Sequence, residues 1–322
     1  MTGPDRALRR ALDLARDQAD VISRRQALGA GMTPAAVDWL LRQGTWAALL
    51  AGVYSVHAAL YGRVWTEQSF VTRLQASLLA HGPDCVAVME TAARIHRMPG
   101  LPPDDGTIHL VRVPGGERHQ QPGVRLHTRR LPASQIEVRS YETVRAAGVT
   151  SVLFTTADLA RSMSRWDAVG MLDALLHEGR VCRSDLGGLD ALVRGLRGAR
   201  GARERVLLAD GRAASPLETR VRLIATDAGM PPDRLQLPVL DRAGRLLGYG
   251  DMAWHRPGRR TLIAEADGKL WHDAPSALYR DRARANDFSA TDEVDVVRFT
   301  WEDTLRRSYI VSVLRTHLAP RS

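Results

Sequence analysis

The sequence predicts an α+β protein of several domains: a helical head closed by a small two-stranded wing, a mixed α/β middle segment, and a C-terminal core ordered α-β-β-β-α-β. Three observations carry this. Apolar residues recur at helical spacing through the first forty positions and again over 216–228. Short runs of strand character, bounded by Pro and Gly turns, occupy 86–138 and return over 236–265. The chain of 322 residues is long enough for two or three domains of ordinary size. The expected segments are 1–80, 81–190, a basic connector at 191–212, and 213–322.

Composition narrows the class. Hydrophobic residues make up 44% and charged residues 25%, the balance of a water-soluble globular chain. No apolar run approaches the roughly 20 residues of a membrane span, and Met1 to Arg10 is polar, with no apolar stretch of a secretory signal behind it. Cys85 and Cys182 give neither a disulfide framework nor a zinc spacing, so a reduced cytoplasm is the expected compartment. The net charge of +9 is uneven: +3 over 1–80, 0 over 81–190, +4 over 191–212 and +2 over 213–322. Basic ends around a neutral middle suit a polyanion such as DNA, although a basic proteome with solvated arginines gives the same sum.

In the head, Arg6 to Asp17 reads as a helix through Ala7, Leu8, Ala11, Leu12 and Ala15. Ser23 caps a short helix to Gly29, and Thr33-Pro34 is an N-cap followed by proline at the first helical position. The helix Pro34 to Gln43 follows, and Trp46 to Val56, turning at Gly52, reads as the wing. Helix, turn, helix and wing form the outline of a winged helix, whose second helix enters the major groove. Arg24, Arg25 and Arg42 are its candidate DNA contacts, with Asp38 opposing them on the presumed recognition helix. Protein binding is the other use of such a module.

The order Ser23-Arg24-Arg25-Gln26-Ala27-Leu28, Gly31-Met32-Thr33, Leu40-Leu41-Arg42-Gln43-Gly44-Thr45-Trp46 and Gly52-Val53-Tyr54-Ser55-Val56 resembles the N-terminal domain of AbiEi-family antitoxins. That resemblance implies a transcriptional repressor with a nucleotidyltransferase-type toxin as partner.

The middle segment shows strands at Val86–Met89, Thr107–Val113, Gly123–Thr128 and Gln135–Val138, then helices at Thr156–Met163, Arg165–Glu178 and Ser184–Leu196. His81, His96, His109, His119 and His127 have no ligand spacing, and the segment reads as a spacer or a homodimerisation domain. Arg194, Arg197, Arg200, Arg203 and Arg205 alternate with Gly195, Gly198 and Gly201, so the stretch is either one basic helical face or a mobile linker. Either form tracks phosphates.

The last third carries the chemistry. A helix Pro216–Ala228 precedes strands Gln236–Leu240, Arg245–Trp254 and a third ending at Glu265. A helix Ala274–Phe288, a strand Val294–Phe299 and a helix Asp303–Leu318 complete it. Thr261 to His272 brings an apolar strand into Glu265 and Asp267, turns at Gly268, and places Lys269 and His272 directly after. Carboxylates at a strand end suit a hard divalent cation, which takes oxygen ligands. Lys269 is the only lysine among 45 basic residues, and it sits beside the acids. Asp251, an acid inside an apolar strand, needs a partner. Structural readings stand beside these: Ser215-Pro216-Leu217-Glu218 is also a capping box, Asp267-Gly268 is a turn dipeptide, and His272 is a polar loop residue.

Ser215-Pro216-Leu217-Glu218, Gly250-Asp251-Met252-Ala253-Trp254, Glu265-Ala266-Asp267-Gly268, Trp271-His272, Asp281 with Arg284, and Val297-Arg298-Phe299-Thr300 together resemble the Vsr-like branch of the PD-(D/E)xK endonucleases, over about 211–318. The resemblance implies a restriction-endonuclease-like core and phosphodiester hydrolysis with Mg2+ or Mn2+. Asp251 and Glu265 are then metal ligands, joined by Glu218 and Asp267. Lys269 and His272 move a proton or steady the phosphate, and Asp281 and Arg284 support the ligands or touch phosphate. Two departures stand out: Gly250 where relatives carry proline, and Asp267 where many carry the lysine. The expected function is a DNA endonuclease, or nuclease-like DNA-binding protein, guided by a winged-helix head. A non-catalytic AbiEi-like repressor is the alternative.

Overall fold

The computed structural model describes residues 3–57, 64–112, 121–267 and 293–320. The chain is mixed α/β, with three sheets among the described residues, and divides into two compact units, Met1–Leu159 and Ala160–Ser322. Among the described residues no helix is long and apolar enough to cross a membrane.

The first unit begins with α1 (Gly3–Arg16), β1 (Val21–Ser23), α2 (Arg24–Gly29) and α3 (Pro34–Arg42). Ser23 and Gln26 satisfy each other's backbone N–H groups in a capping box on α2. Thr33 accepts from Ala36 N–H at the start of α3, with Pro34 in the first turn. The expected wing residues form the hairpin β2 (Ala47–Leu50) and β3 (Val53–Ser55), turned at Gly52, whose φ of +70° favours glycine. A strand the sequence reading omits, β1, pairs antiparallel with β3, giving the order β1-β3-β2.

The rest of this unit is α4 (Phe70–His81), β4 (Cys85–Ala87), α5 (Met89–Ile95), β5 (Ile108–Arg112), β6 (Val124–His127), β7 (Ile136–Tyr141) and β8 (Val144–Thr150). Its five strands run in the order β6-β5-β4-β8-β7. Val21, Leu50 and Val53 of the head share one apolar cluster with Leu74, Ile108, Leu110 and Val149. The boundary expected at residue 80 is therefore not a break in packing. Both expected segments bury their apolar faces against each other.

The second unit corrects the expected boundary at 190. After α6 (Val152–Ser162), which contains the unit boundary, come α7 (Arg165–His177), α8 (Arg183–Val193), α9 (Ala199–Leu208) and α10 (Pro216–Asp227). Asp173 on α7, 1% exposed, accepts from Arg222 Nη2 at 2.7 Å, Thr219 Oγ1 at 2.6 Å and the Asp210 N–H at 2.6 Å. This buried acid fastens α10 to a helix the sequence reading assigns to the middle segment. The basic stretch is no loose connector either. Arg222 Nη1 donates to Leu208 O at 2.7 Å, Arg183 Nη1 to Val206 O at 3.2 Å, and Arg205 donates to Ala160 O.

The second unit's sheet comprises β9 (Arg234–Leu240), β10 (Leu246–Trp254), β11 (Thr261–Ala266) and β12 (Val294–Phe299), in the order β12-β11-β10-β9. The first two pairings along the chain are antiparallel and β11–β12 is parallel. A parallel pair needs a crossover. The expected helix Ala274–Phe288 lies outside the described residues. The closing helix is broken in two, α11 (Trp301–Leu305) and α12 (Arg307–Leu318), because Arg306 leaves helical geometry at φ −110° and ψ 66°. Leu217, Val221 and Ile224 of α10 pack with Met252, Trp254, Leu262, Phe299, Ile310 and Leu314 in one core.

The Asp173 network gives a stability test. Asp173→Ala leaves Arg222 buried without its partner, which costs about 3–5 kcal/mol, measured as a shift in urea unfolding. Asp173→Leu combined with Arg222→Met removes both charges and is expected to recover most of that loss.

Candidate functional site

Four polar side chains meet where α10 lies against β9, β10 and β11. Glu218 enters from the first turn of α10, its backbone N–H donating to Ser215 Oγ at 3.1 Å. The capping box is half formed: Glu218 Oε2 reaches back to the Ala214 N–H at 2.9 Å, one residue short of the N-cap. The same oxygen accepts from Gln236 Nε2 at 3.1 Å, and Gln236 Nε2 also lies 3.3 Å from Asp251 Oδ1. Asp251 Oδ2 accepts from the Ala266 N–H at 2.8 Å. The Asp251 N–H in turn points to Glu265 Oε1 at 3.3 Å. Thus Glu218, Asp251 and Glu265, expected to converge, are linked through an amide and through backbone N–H groups.

Local register explains the convergence. The pairs Met252–Ala264 and Ala253–Ile263 carry Asp251 to the level of Glu265, and Gly250–Leu237 and Met252–Leu235 bracket Gln236 on the other side. Glu265 then pairs in register with Arg298, which is exposed. Gln236 occupies φ +52°, the left-handed region, inside a strand. A residue other than glycine held there costs about 1–3 kcal/mol and persists where its surroundings over-determine it. Gly250 has a steric reason: a Cβ there would stand 2.7 Å from Ile263 Cγ2, so even the smallest side chain is excluded beside Asp251.

The carboxylates of the site crowd one another. Burial, and next the charge of Asp251, push the Glu218 carboxyl above its ordinary value of 4.5, with the N–H donors pulling the other way. Two crowded carboxylates with a third nearby supply the hard oxygen donors that Mg2+ or Mn2+ prefers. Among the described residues, however, no three acidic, histidine or cysteine side chains stand close enough to hold one ion together. The Gln236 amide takes up the gap between Glu218 and Asp251.

The other expected residues fall in several places. The Asp267 N–H donates to Phe299 O at 2.8 Å, extending the β11–β12 ladder by one residue. Lys269, His272, Asp281 and Arg284 lie outside the described residues. In the head, Arg24 Nη1 bonds Asp38 Oδ1 at 2.7 Å and reaches Tyr54 Oη at 3.3 Å, so this cation is engaged within the protein. Arg25 and Arg42 are exposed. Arg203 grips Asp190 with two nitrogens and Arg200 pairs with Glu204 at 3.3 Å, whereas Arg194 and Arg197 are exposed.

Two groupings escape the sequence reading. One is Gln236, whose only signal is a polar residue among the apolar ones of β9. The other is a histidine pair from neighbouring strands: His109 Nδ1 lies 2.9 Å from His127 Nε2 with the rings stacked, and Glu90 Oε2 lies 3.6 Å from His109 Nε2. These three form a row rather than a ring around one point. Burial, followed by His109, lowers His127 to about 4, while burial lowers His109 and raises Glu90, so burial disfavours the charged form of each.

Glu218 supplies a pH test. Its folded form binds the proton more tightly than its unfolded form, so its contribution to stability falls as pH rises from 4.5 through the raised folded value. Glu218→Gln is therefore expected to unfold at a higher temperature than the parent at pH 7, with the gap closing as pH falls to about 4. A constant offset across that range would show that crowding at Glu218 is not its source.

No family model matches the chain. Two curated relatives are similar to it, both from Mycobacterium tuberculosis: "Uncharacterized protein MT2308" of strain CDC 1551 / Oshkosh and "Uncharacterized protein Rv2248" of strain ATCC 25618 / H37Rv. Each is 31% identical over 255 residues, covering 79% of this chain and 85% of the relative. At that identity and coverage, the chain belongs to the family of these two mycobacterial proteins.

Proposed function

We propose that this protein is a cytoplasmic, metal-dependent DNA endonuclease, or a nuclease-like DNA-binding protein, with a winged-helix head and a restriction-endonuclease-like C-terminal core. One observation carries the reading: Glu218 on a helix and Asp251 on a strand meet at the Gln236 amide, and Glu265 on the adjacent strand accepts from the Asp251 N–H. The strand order β12-β11-β10-β9, with α10 before it and α12 after it, supports the same reading.

In this reading Asp251 and Glu265 would hold Mg2+ or Mn2+ as a pair, with Glu218 and Asp267 outside that pair, since among the described residues no three such side chains stand close enough to share one ion. Bound there, the ion supplies charge neutralisation at phosphate and activation of a water for attack. The chain's own residues do the rest. Gln236 holds the Glu218 and Asp251 carboxylates in register with each other. The Ala266 N–H fixes the Asp251 carboxylate by its other oxygen. Arg298, level with Glu265 and exposed, offers a guanidinium to the sugar–phosphate backbone. Lys269 and His272, which follow β11 in sequence, are the proton-transfer and phosphate-steadying candidates.

A second reading is favoured by the same hydrogen bonds. The acids are already satisfied by an amide and by backbone N–H groups, which suits a site that has lost its ion and kept its fold. The protein would then be an AbiEi-like repressor or antitoxin, binding DNA and a nucleotidyltransferase-type toxin without cleaving.

Supercoiled plasmid separates the two. The endonuclease nicks it in Mg2+ or Mn2+, and Asp251→Ala lowers that rate at least a hundredfold with an unchanged circular dichroism spectrum. No cleavage in either metal, with tight binding to its own promoter, would establish the repressor.

A further inference from the structure

A ladder of indole and guanidinium groups stands in the second unit. Arg220, on α10 two residues beyond Glu218, places its guanidinium 4.9 Å from the Trp301 ring centre and 5.4 Å from that of Trp166. Arg307 lies 4.5 Å from the Trp166 ring and Arg165 5.7 Å from it. Arg306 lies 5.4 Å from the Tyr309 ring. Trp301 begins two residues past Phe299, the register partner of Ala266, so it sits at the sheet end that bears Glu265.

Three properties distinguish this surface from ordinary packing. Trp301, Tyr309 and Leu305 are exposed by 48%, 46% and 68%. Among the described residues neither Arg220 nor Arg307 has a carboxylate partner, whereas Arg165 is held by Asp227 and Arg306 by Asp303. The Arg220 Nε is buried without a hydrogen-bond acceptor, so its guanidinium is held there by the indoles. An exposed indole backed by a guanidinium, with Arg220 and Arg307 lacking carboxylate partners among the described residues, matches a ligand with a flat π-face and a negative backbone.

We propose that the Trp301–Arg220–Trp166–Arg307 ladder is a stacking platform for unpaired nucleotides, with a base on Trp301 and an adjoining phosphate on Arg307. From the proposed function it takes only that this unit handles nucleic acid. It adds that the strand reaching the carboxylates is locally single. Duplex bases are stacked on one another and offer no free face. A single strand offers one per nucleotide, and base–aromatic stacking tolerates any sequence.

The test is fluorescence anisotropy of the full-length protein with a labelled 12-nucleotide single strand, its duplex, and a heparin competitor, all in EDTA. The variants are Trp301→Leu, which keeps an apolar side chain without a π-face, and Trp301→Phe, which keeps the face. Trp301→Leu is expected to weaken single-strand binding about tenfold or more, Trp301→Phe less than threefold, and neither to change duplex or heparin binding. Equal single-strand affinity for Trp301→Leu and the parent would overturn the platform. So would equal losses for strand, duplex and heparin, or equal losses for Phe and Leu. Nicking assays on the same variants keep the two readings apart. Trp301-dependent strand binding without cleavage removes the nuclease and leaves the platform, and cleavage with Trp301-independent binding does the reverse.

Discussion

Two carboxylates pressed together behind one amide set the terms for the rest of the C-terminal unit. Glu218 and Asp251 repel, burial removes the water that would screen them, and Gln236 is what the chain places between them. Each neighbouring oddity follows. The Gln236 backbone takes φ +52° to bring its amide there. Glu218 gives up the usual capping geometry to reach the Ala214 N–H. Residue 250 is glycine because Ile263 fills the space that its side chain would need. Such concentrated local cost is what a functional site leaves in a fold, since packing alone is satisfied with less.

The helix that delivers Glu218 is also held by a different buried charge. Thr219 and Arg222, one and four residues further along α10, both bond Asp173. One helix therefore joins a stabilising ion pair to the crowded carboxylate. The two act in opposite senses: the Asp173–Arg222 pair fixes the helix, while Glu218 works against the fold at neutral pH. Activity lost through α10 is thus informative only beside a stability measurement, because a change at 219 or 222 moves Glu218 without touching it.

How much of this was legible in the sequence depends on the range over which each signal acts. Caps and turns are local, so Ser23, Thr33, Pro34, Gly52 and Ser215 place their elements to within a few residues. Asp251 and Glu265 stand out in the sequence because an acid in an apolar strand has few structural uses. Domain limits are not, since they depend on which apolar faces meet. Nothing near Val21 or Leu50 announces a shared core with Ile108, and nothing near Asp173 announces Arg222 forty-nine residues away. The His109–His127 contact escapes a search for ligand spacing for the same reason: parallel neighbours β5 and β6 bring the rings together across eighteen residues. Gln236 is hidden most deeply, because its meaning lies in a backbone angle that glutamine rarely adopts.

The arginine bias, which at first reads as a property of a whole proteome, divides once partners are known. Many arginines do what a planar fork does well. Arg129 on Asp158, Arg165 on Asp227 and Arg212 on Asp210 each use two nitrogens on one carboxylate. These follow from the bias, and a lysine would serve them with some loss. Arg220 is different. It lies between two indoles with no acid partner among the described residues, an arrangement that a guanidinium tolerates because it is flat and weakly hydrated. An ammonium there would have to shed its water without a counter-charge. Proteome-wide preference thus explains the number of arginines, while the chemistry of stacking explains why Arg220 lies against two indoles without an acid partner among the described residues.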